Sequence, residues 1–269
     1  MMRSVSDLMS LRGRVALITG GAGHIGRAIA STFAELGAAI VILDQAESAA
    51  ESVAQGLAET YGVIAPALCV DLADEAALRK VPQRVVETCG RLDIVVNNAA
   101  FVGTDNLEGW AVPVENQNMD TWRQALEVNL TAPFLLVQQS IPFLKASEKG
   151  VVINVGSIYG ALGPDWGLYS DTTIGGTPAA YGVSKGGLLQ MTRWLATTLA
   201  PHVRVNAIVP GGVERDTSDE FKKRYVARTP MNRMASEEDV KGVAAFLASD
   251  MSAYITGQCV MVDGGWSAW

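Results

Sequence analysis

The sequence is poor in residues that build several common kinds of functional site. It has only two histidines, His24 and His202, which gives little support to a histidine-based triad or a zinc site. Its three cysteines are scattered without metal-type spacing. Their odd number, without a recognisable secretory signal, indicates reduced thiols and a cytoplasmic protein. We therefore expect no metal site.

Basic charge and long apolar runs are also scarce. Lys+Arg number 21 against 28 Asp+Glu, so the net charge is −7 and a basic stripe for nucleic acid is lacking. No uninterrupted apolar run approaches the roughly 20 residues of a membrane span. Hydrophobic residues nevertheless make up 49% of the chain, which indicates a large buried core. The composition favours a small-molecule partner over nucleic acid or a membrane.

Short apolar runs alternate with helical patterns from end to end. The runs are continuously apolar, so helices should cover both faces of the sheet. This predicts an α/β protein with a single-domain, Rossmann-type, doubly wound parallel sheet of about seven strands over 1–269, after an N-terminal extension at 1–12. The predicted strands are Arg14–Thr19, Ala39–Leu43, Val63–Val70, Leu92–Val96, Val151–Val155, Val203–Ile208 and Cys259–Val262. The predicted helices are Ile25–Leu36, Glu47–Tyr61, Glu75–Cys89, Asp120–Lys145, Ala180–Leu199 and Glu237–Leu247.

The first strand enters a glycine-rich turn, VALITGGAGHIG, which ends at Gly26. The spacing Gly21-x-Gly23-x-x-Gly26 between a strand and a helix is typical of a dinucleotide site, because the glycines let the backbone approach a pyrophosphate at the helix N-terminus. Asp44 ends the second strand, where a carboxylate can bind the adenosine ribose hydroxyls and repel a 2′-phosphate. NAD is therefore predicted over NADP, with an ordinary turn or cap residue as the alternative for Asp44.

A second pattern, Tyr181-x-x-x-Lys185, places a phenol and an ammonium on one helix face, one turn apart. The ammonium and a positive nicotinamide would lower the pKa of the phenol from about 10, which makes it usable as an acid or base near neutrality. Ser157 follows a predicted strand and offers a hydroxyl to a substrate oxygen.

In combination these residues resemble the short-chain dehydrogenase/reductase family over nearly the whole chain. The resemblance includes the glycine turn, Asn97-Asn98-Ala99-Ala100, Asn129, Ser157, Tyr181 with Lys185, Pro210-Gly211-Gly212 and Val262-Asp263-Gly264-Gly265. It implies a catalytic set of Asn129, Ser157, Tyr181 and Lys185. It implies cofactor contacts from Gly20, Gly23, His24, Ile25, Gly26, Asp44, Asp71, Leu72, Asn98, Ala99, Tyr181, Lys185, Pro210, Gly211, Val213 and Thr217.

The resemblance also implies a role for each catalytic residue. Tyr181 would be the general acid/base, and Ser157 would hold the substrate's carbonyl or alcohol oxygen. Lys185 would lower the pKa of the tyrosine and bind the nicotinamide ribose, and Asn129 would hold a water that relays the proton. Such enzymes usually assemble as homotetramers or homodimers through the two long helices. Asp71, carried over as an adenine contact, has a helix cap as its structural alternative.

The chain departs from the short members of the family at the first turn, where His24 replaces a glycine of the TGxxxGxG pattern. Counted as TGxxGxxG, the turn instead matches the longer branch of sugar-nucleotide enzymes. The C-terminal Val262-Asp263-Gly264-Gly265 segment is a feature of the short branch and favours it. We expect His24 to lie beside the pyrophosphate and to take no part in catalysis.

Two further departures predict substrate-site loops at 161–178 and 213–230. Ser157 and Tyr181 are about twice as far apart as in most short members, and the added residues include Trp166 and Tyr169. Arg215 stands where many relatives have threonine, and either it binds an anionic substrate group or Thr217 makes the usual nicotinamide contact. These features are similar to oxidoreductases of bacterial sugar pathways.

The sequence therefore predicts an NAD-dependent oxidoreductase that interconverts a secondary alcohol and a ketone on a polar, sugar- or polyol-like substrate. The alternatives are a 3-oxoacyl carrier-protein or steroid-type reductase and a non-catalytic NAD-sensing regulator.

Overall fold

The computed structural model describes residues 2–102, 107–170, 176–215 and 218–269. Within these residues seven parallel strands form one sheet, in the order β3-β2-β1-β4-β5-β6-β7. The strands are β1 Val15–Thr19, β2 Ala39–Asp44, β3 Ala67–Cys69, β4 Ile94–Asn97, β5 Gly150–Val155, β6 Val203–Pro210 and β7 Cys259–Val262. The predicted single-domain, Rossmann-type parallel sheet is confirmed.

Helices cover both faces of the sheet, as the continuously apolar strands predict. In β1, Ala16 and Ile18 join one hydrophobic cluster while Val15 and Leu17 join another, because successive side chains of a strand point to opposite faces. The α-helices of the described residues are α1 Val5–Met9, α2 His24–Glu35, α3 Glu47–Tyr61, α4 Glu75–Leu78, α5 Val81–Cys89, α6 Met119–Leu126, α7 Ala132–Ala146, α8 Ala179–Leu199, α9 Asp219–Arg228 and α10 Lys241–Ala248. None of the helices described is long and apolar enough to cross a membrane.

The predicted long helix Asp120–Lys145 is in fact two α-helices joined by a π-helical turn, Glu127–Thr131. The predicted helix Glu75–Cys89 is likewise divided into α4 and α5, with a proline in the first turn of α5. The third strand is only Ala67–Cys69, shorter than predicted. These boundaries differ because π turns and helix breaks leave the apolar pattern almost unchanged.

Two helices were not predicted from the sequence. The first, α1, is closed by a capping box between Ser4 and Asp7 and contributes no buried residue. The second, α9, begins at an N-cap formed by Ser218 and packs the apolar side chains of Phe221 and Tyr225 inward. Part of the segment predicted as a loop at 213–230 is therefore a helix in the structure.

The strand order reverses between β1 and β4, which are neighbours although β2 and β3 come between them in sequence. Open α/β sheets bind ligands in the crevice beyond the carboxyl ends of the strands at such a switch point. The glycine turn follows β1 and residues 98–102 follow β4. The fold therefore directs both segments into the same crevice.

Candidate active site

The glycine turn is packed too tightly for any other residue at two positions. Gly20 has a φ of +60°, and a Cβ built there would lie 2.8 Å from the Cα of Ala99. A Cβ on Gly26 would lie 2.1 Å from the carbonyl oxygen of Gly20. Asn98, which follows the neighbouring strand β4, holds the turn in place: its Nδ2 donates to the Gly20 carbonyl at 3.0 Å. Gly23, the N-cap of α2, provides no side-chain cap, so the first N–H groups of that helix suit a phosphate.

A cavity of about 440 Å³ opens beside this turn. It brings together nine of the predicted cofactor residues, which are Gly20, Gly23, His24, Ile25, Asp44, Asp71, Leu72, Asn98 and Ala99. The glycine cradle and the uncapped helix end fit the diphosphate of a dinucleotide, and the crevice provides room for the rest of it. A bound nicotinamide cofactor supplies a hydride donor or acceptor to such a site.

Asp44 lines the cavity and also accepts hydrogen bonds from two backbone N–H groups of adjacent turns. Its Oδ2 accepts a hydrogen bond from Ala22 N at 3.1 Å, and its Oδ1 accepts one from Ala46 N at 3.2 Å. Asp71 is exposed at the same cavity and accepts from Ala73 N at 2.9 Å. Each carboxylate is therefore both a turn residue and a cavity residue, so the two interpretations of each position are compatible.

Four further predicted cofactor residues, Pro210, Gly211, Val213 and Thr217, lie at the end of β6 or after it. Pro210 ends that strand, and Val213 forms an isolated parallel bridge with Ala235. Gly211 lines a different cavity, of about 480 Å³, formed with the chain around β7. Thr217 lies outside the described residues, and the structure therefore says nothing of its contact.

Arg215 lines the nucleotide cavity together with His24. Its Nη1 lies 2.6 Å from Oε1 of Glu237, and the same oxygen lies 3.4 Å from Nδ1 of His24. The sequence predicted a substrate contact for this arginine. The structure places it among the nucleotide residues and next to the start of α2.

Tyr181 and Ser157 meet at the end of the crevice. Burial raises the pKa of Tyr181, Ser157 opposes that rise from beside the phenol, and Tyr169 adds to it. A tyrosine in this environment needs a nearby positive charge before it can ionise near neutral pH.

Lys185 supplies such a charge one helical turn from Tyr181. Its Nζ donates to the carbonyl of Val155 at 2.8 Å and lies 5.9 Å from the centroid of the tyrosine ring. The side chain is 2% exposed, and burial lowers the pKa of Lys185 to about 8. The ammonium remains charged at pH 7 but titrates within the range in which enzymes work.

Asn129 occupies the π-helical turn between α6 and α7, a feature often found at functional sites. Its Oδ1 accepts from Phe101 N at 2.6 Å, and its Nδ2 donates to Ser184 Oγ at 3.1 Å. Ser184 in turn donates to the backbone carbonyl of Tyr181 at 2.9 Å. Asn129 therefore connects the segment after β4 to the first turn of α8. We call Asn129, Ser157, Tyr181 and Lys185 the catalytic floor.

The predicted loop at 161–178 and helix α9 pack against each other above this floor. We call the described residues 161–170 and 176–178, together with α9, the substrate cover. An ion pair joins Arg228 to Asp165, and the rings of Tyr169 and Phe221 lie 5.4 Å apart. Trp166 is 58% exposed, so it offers an aromatic face at the edge of the cover.

A string of hydroxyl groups runs through the cover. The hydroxyl of Tyr169 lies 2.8 Å from that of Tyr159 and 2.8 Å from Oγ1 of Thr177. Tyr169 also adds to the rise in the pKa of Tyr181.

Four residues that shape the site were not identified from the sequence: Tyr159, Thr177, Ser184 and Glu237. Ser184 lies inside the Tyr181–Lys185 pattern, where the spacing could have indicated its role. Tyr159 follows Ser157 closely, but its ring enters the cover only through the fold. Glu237 is brought to the glycine turn from more than 200 residues away, and no local pattern signals such a contact.

The geometry brings Tyr181, Ser157 and the buried ammonium of Lys185 together in a chain that also has a crevice suited to a dinucleotide. The model of the family described as enoyl-(acyl carrier protein) reductase matches residues 20–267. The chain is 34% identical to the 3-oxoacyl-[acyl-carrier-protein] reductase of Aquifex aeolicus (strain VF5), with 96% of this chain and 98% of that protein covered.

Solved structures of dehydrogenases are also similar to this chain. A gluconate 5-dehydrogenase from Burkholderia cenocepacia J2315, in complex with NADP and tartrate, is 29% identical with a TM-score of 0.87, covering 99% of this chain and 100% of that one. An NAD⁺-bound xylitol dehydrogenase is 28% identical with a TM-score of 0.81, covering 94% of this chain and 99% of that one. The chain belongs to the short-chain dehydrogenase/reductase family. It is an NAD(P)-dependent oxidoreductase acting on CH–OH groups.

Proposed function

We propose that the protein uses NAD to interconvert a secondary alcohol and a ketone on a polar, sugar- or polyol-like substrate, with Tyr181 as general acid/base. The observation that carries the chemistry is the buried ammonium of Lys185, one helical turn from Tyr181 and 5.9 Å from the centroid of its ring. The observation that carries the substrate class is the string of hydroxyls formed by Tyr159, Tyr169 and Thr177.

Each floor residue has a task that follows from its contacts. In the oxidising direction Ser157 holds the substrate hydroxyl while the Tyr181 oxygen takes its proton. Lys185 favours the ionised phenol because its charge is buried and little screened. Asn129 fixes the first turn of α8 through Ser184, which keeps the tyrosine in place. NAD held in the nucleotide cavity would supply the hydride acceptor for this oxidation.

The preference for NAD over NADP rests on Asp44. Its carboxylate lines the nucleotide cavity and is held in place by two backbone N–H groups. A fixed negative charge there suits ribose hydroxyls and repels a 2′-phosphate. The two solved relatives described above carry different cofactors, NADP in one and NAD⁺ in the other, so likeness alone does not choose.

A polar substrate is supported by the composition of the cover. Hydroxyls of Tyr159, Tyr169 and Thr177 can exchange hydrogen bonds with a polyol, and the exposed ring of Trp166 suits a sugar face. Trp166 and Tyr169 remain our proposed substrate residues. The loops at 161–178 and 213–230 remain the proposed substrate-site segments.

A carrier-protein or steroid-type reductase is the competing enzyme. The Aquifex relative is named for the carrier-protein reaction and is 34% identical to this chain. The gluconate and xylitol dehydrogenases are 29% and 28% identical to it. An acyl chain or steroid would favour apolar walls, whereas this cover carries hydroxyls and the pair of Asp165 with Arg228. A non-catalytic NAD sensor would have no use for the complete catalytic floor.

A homotetramer or homodimer is the assembly we propose, formed through α7 and α8. Phe134, Met191 and Trp194 line an open apolar depression shared by these helices. Phe134 is 40% and Trp194 is 55% exposed in the single chain, and a second copy would cover them. The scattered, reduced cysteines support a cytoplasmic location.

The decisive experiment is a screen of sugar alcohols, aldonates and amino- or phospho-sugars with NAD and with NADP, measured by absorbance of the reduced nicotinamide. We expect turnover of at least one polyhydroxylated compound, and a higher kcat/KM with NAD. Activity only on acyl thioesters or steroids would contradict the substrate class. A higher kcat/KM with NADP would contradict the role of Asp44.

A further inference from the structure

His24, Arg215 and Glu237 form a charged cluster at the mouth of the nucleotide cavity. One oxygen of Glu237 contacts both Arg215 Nη1, at 2.6 Å, and His24 Nδ1, at 3.4 Å. The three residues come from separate segments: the first turn of α2, the chain before α9, and the 3₁₀ turn before α10. The side chains of Arg215 and Glu237 are 34% and 33% exposed, so the cluster borders solvent and is not part of the core.

A carboxylate so close to the start of α2 is unfavourable for an anion-binding helix end. The N-terminal N–H groups of α2 follow the uncapped Gly23 and attract a diphosphate, whereas the charge of Glu237 repels it. Arg215 offsets that charge. Its guanidinium has five N–H donors in a rigid fork, so it can bind Glu237 and a phosphate oxygen at the same time.

We propose that Arg215 binds the diphosphate of the dinucleotide and that Glu237 positions its guanidinium at the cavity mouth. The inference deepens the proposed function, since it requires a dinucleotide in this cavity. Arg215 lies on the His24 side of the cavity, at the start of α2, whereas Asp44 marks the adenosine ribose. The arginine is therefore assigned to the diphosphate rather than to a 2′-phosphate or the substrate.

Binding of cofactor fragments to the purified protein tests this without turnover. We expect Arg215→Gln to weaken ADP-ribose, measured by calorimetry, about tenfold or more, because a charge-assisted hydrogen bond is lost. Adenosine, followed by ligand-observed NMR, lacks the diphosphate and should bind as it does to the unmodified protein. Arg123→Gln is the matched control, since that exposed arginine of α6 pairs with Asp120 instead.

The role of Glu237 is tested in the background of Arg215→Gln. The added change Glu237→Gln should recover part of the lost ADP-ribose affinity, because it removes a carboxylate left without its arginine. No recovery would overturn the role of Glu237. Unchanged ADP-ribose binding by Arg215→Gln, or an equal loss for adenosine, would overturn the role of Arg215.

Two further outcomes are distinguishable. A loss confined to 2′-phospho-ADP-ribose would move Arg215 to the ribose and overturn the diphosphate assignment. Failure of the unmodified protein to bind ADP-ribose would contradict the proposed function itself.

Discussion

The catalytic floor and the substrate cover are held by different kinds of contact. Three floor residues are buried and Tyr181 is half-buried, and backbone hydrogen bonds hold the floor in place, as those of Lys185 with Val155 and of Asn129 with Phe101 do. The cover is held by ion pairs, ring contacts and hydroxyls near the surface, such as Arg228 with Asp165. Burial makes the floor electrostatically strong and sensitive to any change, whereas solvent screens the cover. We therefore expect substitutions in the floor to cost more activity than substitutions in the cover.

The largest expected effect comes from removing the Tyr181 hydroxyl. Tyr181→Phe should lower kcat about 10³-fold, because general acid/base catalysis is lost. ADP-ribose affinity should stay within a factor of two, since the diphosphate contacts lie elsewhere. Steady-state kinetics and calorimetry measure the two quantities. A loss of ADP-ribose binding together with activity would show that the floor also forms the nucleotide site. It would contradict the assignment of binding and chemistry to separate parts of the protein.

Lys185→Met should separate the activity of the floor from its stability. We expect kcat to fall about 10²-fold because the tyrosine loses its neighbouring charge. The free energy of unfolding at pH 7 should rise by on the order of 1–3 kcal/mol, because burial lowers the pKa of Lys185 from 10.5 to about 8 and the folded state no longer bears that cost.

The stability difference between Lys185→Met and the unmodified protein also depends on pH. Between pH 8 and 10.5 the unfolded chain binds more protons at Lys185 than the folded one, so the unmodified protein gains stability as pH rises. The advantage of the variant should therefore shrink across that window. Urea titrations at pH 7 and pH 10 measure it, and a constant difference would contradict the buried charge.

Tyr169→Phe tests the cover at its hydroxyl string. We expect KM for a polyhydroxylated substrate to rise threefold to tenfold with kcat nearly unchanged, because a substrate-side hydrogen bond is worth about 1 kcal/mol. Tyr254→Phe serves as the matched control, since Tyr254 is fully exposed. A fall in kcat similar to that of Tyr181→Phe would instead place Tyr169 in the floor.

The smallest effect is expected at the ion pair of the cover. Asp165→Asn keeps the acceptor for Gly167 N but loses the charge opposite Arg228. The free energy of unfolding, measured by thermal unfolding, should fall by less than about 1 kcal/mol because exposed ion pairs contribute little. The difference from the unmodified protein should vanish in 1 M salt. Glu238→Gln is the control from another exposed pair. A larger, salt-independent loss would mean that the cover is packed as firmly as the floor.

The same contrast explains what the sequence predicted well. The seven parallel strands, the glycine turn and the pair of Tyr181 with Lys185 rest on local patterns with a physical cause: apolar periodicity, backbone space and helical spacing. They are confirmed as structure, with Lys185 and Tyr181 one turn apart. The clustering of nine cofactor residues around one cavity also follows from the topology, because both segments leave the same edge of the sheet.

What the sequence could not predict depends on contacts between distant segments. The sequence left Arg215 either to bind an anionic substrate group or to leave the nicotinamide contact to Thr217, and it did not predict the pairing of Arg215 with Glu237. Helix α9 was taken for a loop because its residues are mostly charged, and only the packing of Phe221 and Tyr225 reveals its inner face. The break at Glu127–Thr131 is equally invisible in the apolar pattern.

Because of that π-helical turn, the position of Asn129 depends on the number of residues in the segment. A π turn accommodates one residue more than an α-helical turn, so deleting a single residue within 127–131 would restore α-helical spacing and remove the local widening on which Asn129 lies. Asn129 would then be carried away from Phe101 and Ser184 without any substitution of a functional side chain. An insertion in the loop at 161–178 changes only the length of that loop. Deletions should therefore be far more damaging at 127–131 than insertions are in the cover, so indel tolerance would map the two regions independently of residue identity.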